Sequence, residues 1–127
     1  KLYEINLTCL IADLRKDFDS PGLPVVIAAS SHGNSPSGSA QEMVHSAQMA
    51  VGDAKKNGKF SGTVTSIDTT PFFRDKNQSP GYFLNDRRPA FYTDARYNNN
   101  AESFLLIGEA MGQAMLKLLD KSEIQEK

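Results

Sequence analysis

A wholly apolar run of five residues, Val25–Ala29 (VVIAA), constrains the fold of this chain more than any other segment. Pro24 precedes the run and serine-rich sequence follows it, and its short length and β-branched residues favour a strand over a helix. A strand with no polar residue is typical of parallel sheets that have helices on both faces. The run therefore predicts an α/β protein.

Three segments with apolar residues at helical spacing surround this strand. They predict helices over residues 2–18, 39–53 and 101–119. The apolar stripes expected to face the core are Leu2, Leu7, Leu10, Ile11, Leu14 and Phe18 in the first helix, Met43, Val44, Ala47 and Val51 in the second, and Phe104, Ile107, Met111, Met115 and Leu118 in the third. Cys9, within the first helix, is expected to be a small buried core residue.

A second and more polar strand is expected over residues 63–67, within the limits 62–68. The alternation of helices and strands predicts a parallel sheet in which the helix of residues 39–53 makes the crossover. Two strands alone do not form a stable sheet, and the chain opens on a helix. We therefore expect further strands on the N-terminal side, with residues 1–127 forming the C-terminal portion of a larger α/β domain.

The last helix and the segment before it carry local signals of their own. Asn100 is the expected N-cap, and Glu102 lies in the first turn, where the helix dipole favours a negative charge. Gly108 and Gly112 form a G-x-x-x-G spacing that predicts close packing against a neighbour. Residues 68–100 form a long irregular loop that is rich in aromatic residues, and such a loop in a compact domain is usually functional.

Composition excludes several classes of function. The 127 residues carry a formal net charge of -1, which gives no electrostatic reason to expect nucleic acid or an anionic membrane as a partner. No apolar run approaches the roughly 18 residues that cross a bilayer. The single cysteine excludes a disulfide within the chain and a multi-cysteine zinc site. The two histidines lack the spacing of a metal motif, so no metal site is expected.

Ligands of open parallel sheets bind beyond the carboxyl ends of the strands, which directs attention to residues 30–39 and 68–100. His32 follows the first strand and is a weak candidate for a catalytic base, the alternative being a solvated loop residue. His45, inside the middle helix, is interpreted as an ordinary helix-face histidine. The segment FFRD ending at Asp75 either lines a pocket or forms a surface ion pair beside two buried aromatic rings.

Two stretches give the sequence a family resemblance. The run SIDTTPFFRD at residues 66–75, followed by YNNNAESFLLIGEAMGQAM at residues 97–115, resembles the C-terminal half of sialate O-acetylesterase-like proteins. These are carbohydrate esterases of the SGNH hydrolase superfamily. The pieces VVIAAS at 25–30 and AQMAVGD at 47–53 fit the same family in the same order.

The resemblance implies a flavodoxin-like three-layer α/β/α fold with a parallel sheet. It implies hydrolysis of acetyl esters on sugars by a serine nucleophile, a histidine base and usually an acidic partner, without a metal or organic cofactor. Its implied partners are an acetylated or acidic carbohydrate and the remainder of the parent chain, and its implied location is outside the cytoplasm of a bacterium, either secreted or periplasmic.

Two departures from the family pattern leave the catalytic residues unassigned. The Gly-Gln-Ser-Asn type of nucleophile motif is absent from these residues, and Arg96 stands where the family carries its histidine. Arginine stays protonated and cannot act as a general base. The weak catalytic candidates are therefore Asp94 and His32. The candidates for binding substrate are Ser31, Phe73, Arg74, Asp75, Arg96 and Tyr97.

Three functions fit these residues. The chain is part of a carbohydrate O-acetylesterase-like domain whose catalysis is impaired by Arg96, or a non-catalytic domain that binds a glycan in the former active site, or a structural domain derived from the same fold. Whether the protein is an enzyme stays open at this point.

Overall fold

The computed structural model describes residues 1–30, 37–74 and 100–125, with side chains as far as residue 120. Its elements are α1 (Leu2–Asp17), β1 (Val25–Ala29), α2 (Ala40–Val51), β2 (Val64–Asp68), α3 (Ala101–Gln125) and two 3-10 turns, Gly58–Phe60 and Thr70–Phe72. The two described strands pair in parallel, with Val25 opposite Val64 and Ala29 opposite Asp68. The predicted α/β class and all five major elements are confirmed.

Side-chain caps explain where two of the helices begin. The hydroxyl of Ser39 accepts a hydrogen bond from the amide of Glu42 at 3.2 Å, so Ser39 caps α2 instead of forming its first turn. Asn100 caps α3 as predicted, because its Oδ1 accepts from the amides of Glu102 and Ser103 at 2.9 and 3.3 Å. The end of α3 was predicted less well, since the helix continues to Gln125 and not to residue 119.

The register of the strands places helices on both faces of the sheet. Side chains alternate along a strand, so Ser66 shares the face of α2, where its hydroxyl donates to the carbonyl of Gln48 at 2.6 Å. Thr65 and Ile67 point to the other face and line a groove against α3. The main core lies on the α2 face and comprises Ile11, Ile27, Val51, Phe60 and Val64.

Gly52, at the end of α2, allows that helix to touch the backbone of β2. A Cβ atom on this residue would lie 2.1 Å from the amide nitrogen of Ser66 and 2.6 Å from the carbonyl carbon of Thr65. Neither backbone atom can move without disturbing the strand. A side chain at this position is therefore incompatible with the observed distance between α2 and β2.

Several apolar residues predicted to face the core are exposed instead. In α1 only Ile11 of the predicted stripe is buried and Leu7 is half-buried. The exposed members of the three stripes are Leu2, Leu10, Leu14, Phe18, Met43 and Phe104, and the expectation that Cys9 is buried is also wrong. The physical reason is geometric: the two described strands cover only part of each helix, and helical spacing does not state how wide the facing surface is.

The predicted role of the glycine pair in α3 is wrong as well. A Cβ atom on Gly108 or on Gly112 would meet nothing within 4 Å, so neither glycine makes the close contact expected from the spacing within the described part of the chain. Both residues are exposed. The glycine that close packing does require is Gly52.

We expect Gly52→Ala to destabilise the fold by about 1–3 kcal/mol, because the added methyl group overlaps the β2 backbone. Gly108→Ala is the matched control, and it should raise the free energy of unfolding by roughly 0.5–1 kcal/mol, since alanine is the better helix former where space is open. Urea unfolding of the two variants measures both effects. A Gly52→Ala variant as stable as the original chain would contradict the close contact.

Candidate functional site

The candidate site lies at the carboxyl ends of β1 and β2, where α2 brings a histidine against both strands. The Nδ1 atom of His45 is 3.1 Å from the carbonyl oxygen of Ser30, which follows β1. Its Nε2 atom is 3.7 Å from Oδ1 of Asp68, the last residue of β2. Because a carbonyl oxygen only accepts, the hydrogen of this contact is on Nδ1, and the neutral ring then presents a lone pair at Nε2.

His45 therefore needs a different interpretation from an ordinary helix-face histidine. It is about three-quarters buried at the side chain and joins the ends of the two described strands. Sequence reasoning missed this role because the crossover helix shows no motif at His45. The sequence feature that could have indicated this role is the position of His45, which lies in the first turns of a helix that follows a strand end, one turn before Gln48.

Gln48 fixes the start of the segment that follows β1. Its Oε1 accepts from the amide of Ser30 at 2.8 Å and from the hydroxyl of Ser30 at 3.1 Å. Its Nε2 donates to the hydroxyl of Tyr3 at 3.0 Å, which ties α1 to the same point. The Ser30 hydroxyl is thus directed towards Gln48, while His45 contacts the Ser30 carbonyl, so these residues do not form a nucleophile–base pair.

Asp68 is held as a carboxylate by its neighbours. Its Oδ1 accepts from the amide of Thr70 at 2.9 Å. Partial burial raises the pKa of Asp68, but hydrogen bonds from Thr70 and the charge of His45 together lower it by more, so the pKa lies below the ordinary value of 3.8. In the neutral form of His45, whose hydrogen is on Nδ1, the Asp68 carboxylate and the Nε2 lone pair face each other as two acceptors.

Beneath this pair lies a set of fully buried polar side chains. The hydroxyl of Thr69 donates to the carbonyl of Ala29 at 2.6 Å and joins the exits of the two strands. Asn100 and Ser103, at the start of α3, are also fully buried. Within the described residues every buried polar side-chain atom has a hydrogen-bond partner, so this layer is a rigid support for the strand ends.

Arg74 and Phe73 are the two predicted substrate-binding residues that the structure describes. Arg74 Nε lies 3.0 Å from Oε1 of Glu102, its Nη1 donates to the Pro71 carbonyl at 3.0 Å, and its amide donates to the Ser103 hydroxyl. The guanidinium therefore connects the segment after β2 to the start of α3. Phe73 is half-buried.

The remaining predicted site residues cannot be placed relative to this cluster. Ser31, His32, Asp75, Asp94, Arg96 and Tyr97 lie outside the described residues. Their assignment stays a prediction from the sequence.

The geometry supports binding of a group that donates a hydrogen. Two acceptors 3.7 Å apart, the imidazole nitrogen of His45 and the carboxylate of Asp68, can share a hydroxyl group or a water molecule placed beside them. Within residues 1–30, 37–74 and 100–125, no three His, Cys, Asp or Glu side chains are grouped as a metal would need. In that same part of the chain, no helix combines the length and hydropathy needed to cross a bilayer.

Comparison with known proteins identifies no family. No family model matches the sequence, and searches of curated proteins and of solved structures give no match.

We expect acid to weaken the fold through Asp68. Because its folded-state pKa is depressed, the ionised carboxylate stabilises the chain above its unfolded pKa, and this stabilisation is lost as the pH falls below 3.8 through the folded pKa. Asp68→Asn should therefore lower the free energy of unfolding at pH 7 and change it little at pH 2.

Urea unfolding at a series of pH values measures this effect. Asp13→Asn, which removes an exposed carboxylate of α1, controls for the change in net charge. Equal loss of stability at pH 7 and pH 2 in Asp68→Asn would show that the carboxylate charge is not the cause.

Proposed function

We propose that the chain is part of a carbohydrate O-acetylesterase-like hydrolase domain with a flavodoxin-like three-layer fold, acting on acetyl esters of sugars. The observation that carries the proposal is the pairing of His45 with Asp68 at the carboxyl ends of two parallel strands. This edge is where α/β proteins bind their ligands. The similarity of residues 66–75 and 97–115 to sialate O-acetylesterase-like proteins supplies the reaction class.

His45 supports this proposal by chemistry as well as by place. With Nδ1–H donated to the Ser30 carbonyl, Nε2 is available to accept a proton, and the Asp68 carboxylate stabilises the resulting imidazolium. Arg96 occupies the position of the family's histidine and cannot take that part. His45 is therefore the base that we assign within the described residues, and the nucleophile is not among the residues assigned here.

The test is acetate release from p-nitrophenyl acetate and from acetylated sugars by the protein that carries this chain. We expect His45→Gln to reduce kcat by about 100-fold or more, since a positioned general base contributes roughly that factor. Gln41→Ala, on the exposed side of α2, is the matched control and should leave kcat unchanged.

Two results would contradict different parts of the proposal. Acetate release no faster than in buffer excludes the esterase function. Activity that survives His45→Gln excludes His45 as the base and leaves the reaction class standing. Arg96→His then reports on the family pattern, because a gain of activity identifies residue 96 as the position of a lost base.

A second candidate function, glycan binding without catalysis, is favoured by Arg96 itself. A guanidinium that replaces an imidazole supplies two parallel donors suited to a sugar carboxylate or sulfate. Tyr97, the next residue in the sequence, is aromatic, and sugars stack on aromatic rings.

Calorimetric titration with acidic and neutral sugars tests this alternative. We expect Arg96→Gln to abolish selectivity for the acidic sugar, because a neutral amide keeps donors but loses the charge. Lys16→Gln, which removes an exposed positive charge of α1, is the control for the change in net charge. Absence of binding by any acidic sugar would exclude glycan recognition.

A further inference from the structure

We propose that the outer edge of β1, together with the flanks of α1 and α3 beside it, is a slot that takes a hydrophobic β-strand from outside residues 1–127. We call this surface the strand slot. It comprises the outward backbone groups of Val26 and Ala28, the side chains of Leu10 and Leu14 on one face, and Gly108 and Met115 on the other. The proposal deepens the three-layer fold proposed above and does not depend on the esterase reaction.

The first support comes from the sequence and hydrogen bonding of β1. Val25 donates to the Thr63 carbonyl at 2.9 Å, and in the parallel pattern every second residue then bonds to β2. The amides and carbonyls of Val26 and Ala28 consequently point away from β2. Edge strands are usually protected by charges, prolines or bulges, whereas VVIAA has none and is typical of a central strand.

The position of α1 supplies one wall of the slot. Gly52 puts α2 in backbone contact with β2, and α1 packs beside α2, with Ile11 of α1 and Ile27 of β1 in the same buried core cluster. Packed helices lie about 8–10 Å apart and neighbouring strands about 4.8 Å apart, so a helix next to α2 on the β1 side reaches past β1. Helix α1 therefore lies above the position that one more strand would take beside β1.

The exposed leucines of α1 lie on the correct flank for this role. Arg15 reaches Thr63 beside β2 at 2.9 Å, so the opposite flank of the helix faces away from β2. Leu10 lies roughly opposite Arg15 on a helix of 3.6 residues per turn, and Leu14 is one turn further along. Leu10 is 53% and Leu14 36% exposed, which leaves an apolar surface above the edge of β1 that pairs with no other strand among the described residues.

The flank of α3 forms the second wall, on the other face of the sheet. The side of α3 near β2 lines a groove with Gln113 and Lys117, which are polar. The opposite side, towards β1, carries Gly108, Met111 and Met115 and no charge. Gly108 is exposed with open space where a Cβ would stand, and both methionines are half-buried.

These walls determine the chemistry of the occupant. A segment that enters the slot meets leucines on one face, methionines and a glycine on the other, and backbone donors and acceptors along its side. It must therefore be extended and apolar on both faces, and it pairs with β1 by adding a strand to the sheet. A proline in the segment would leave a backbone group of Val26 or Ala28 without a partner, and a charged side chain would lose its hydration between the apolar walls.

Amide exchange measured by NMR on the ¹⁵N-labelled chain tests the slot. The ligand used is the peptide acetyl-KVIVIVK-amide, and the same peptide with proline at its centre is the control ligand. In the chain alone at low concentration, the amides of Val26 and Ala28 should exchange at least about tenfold faster than that of Ile27, because only the latter bonds to β2. The first peptide should slow both amides at least about tenfold, and the proline peptide should not.

Variants of the chain distinguish binding in the strand slot from non-specific hydrophobic binding of the peptide. Leu10→Lys should weaken binding of the peptide by about tenfold or more, because it places a charge where the bound peptide would bury a leucine. Leu2→Lys is the matched control on a different face of α1, and it should change binding less than about twofold. Ala28→Pro removes an outward donor without removing a bond to β2, and it should abolish binding even if Leu10→Lys fails to fold.

Three results would overturn the proposal. Val26 and Ala28 amides as slow as Ile27 in the dilute chain would show that residues of the chain itself fill the slot. Protection that rises with chain concentration, without peptide, would identify a second copy as the occupant. The amide of Ser66 points outward from β2. If the peptide slows exchange of this amide and not that of Val26, the peptide binds at the outer edge of β2 and not at the strand slot.

Discussion

The contact between the backbone of Gly52 and the backbone of β2 fixes the arrangement on which the candidate site depends. It sets the distance of α2 from the sheet, and the hydroxyl of Ser66 then reaches the carbonyl of Gln48 from the strand below. With the helix held this close, His45 and Gln48 lie within hydrogen-bonding reach of the strand ends. A helix displaced by the width of one methyl group would lose these contacts, since hydrogen bonds weaken steeply with distance.

At the strand ends, buried hydrogen-bonded side chains lie next to two partly exposed side chains. The buried hydroxyl of Thr69 joins the two strand exits, and the buried hydroxyl of Ser103 accepts from the amide of Arg74 and so joins the segment after β2 to the start of α3. Above them, His45 and Asp68 are partly exposed and present two acceptors to solvent. The pair is therefore accessible to solvent while the polar side chains beside it are buried and hydrogen-bonded.

The sequence predicted the secondary-structure elements of this protein better than it predicted which of their faces are covered. The apolar run of β1 and the helical spacing of α1, α2 and α3 predicted the elements and their order, because those signals are local. The exposed face of α1 could not be predicted, because periodicity marks an apolar stripe and says nothing of what covers it. The same limit applies to Gly108 and Gly112, whose spacing resembles a packing motif although their surroundings are open.

By itself, the sequence determined the α/β class, the bounds of β1, the cap at Asn100 and the edge of the sheet where polar residues collect. These properties follow from hydrogen bonds and side-chain periods within a few residues of each other. Only the tertiary structure decided that His45 belongs to the site and that Gly52 is the glycine which packing requires. Both depend on residues 13 to 23 positions away in the chain, and packing sets the distance in space between such residues, which no local pattern records.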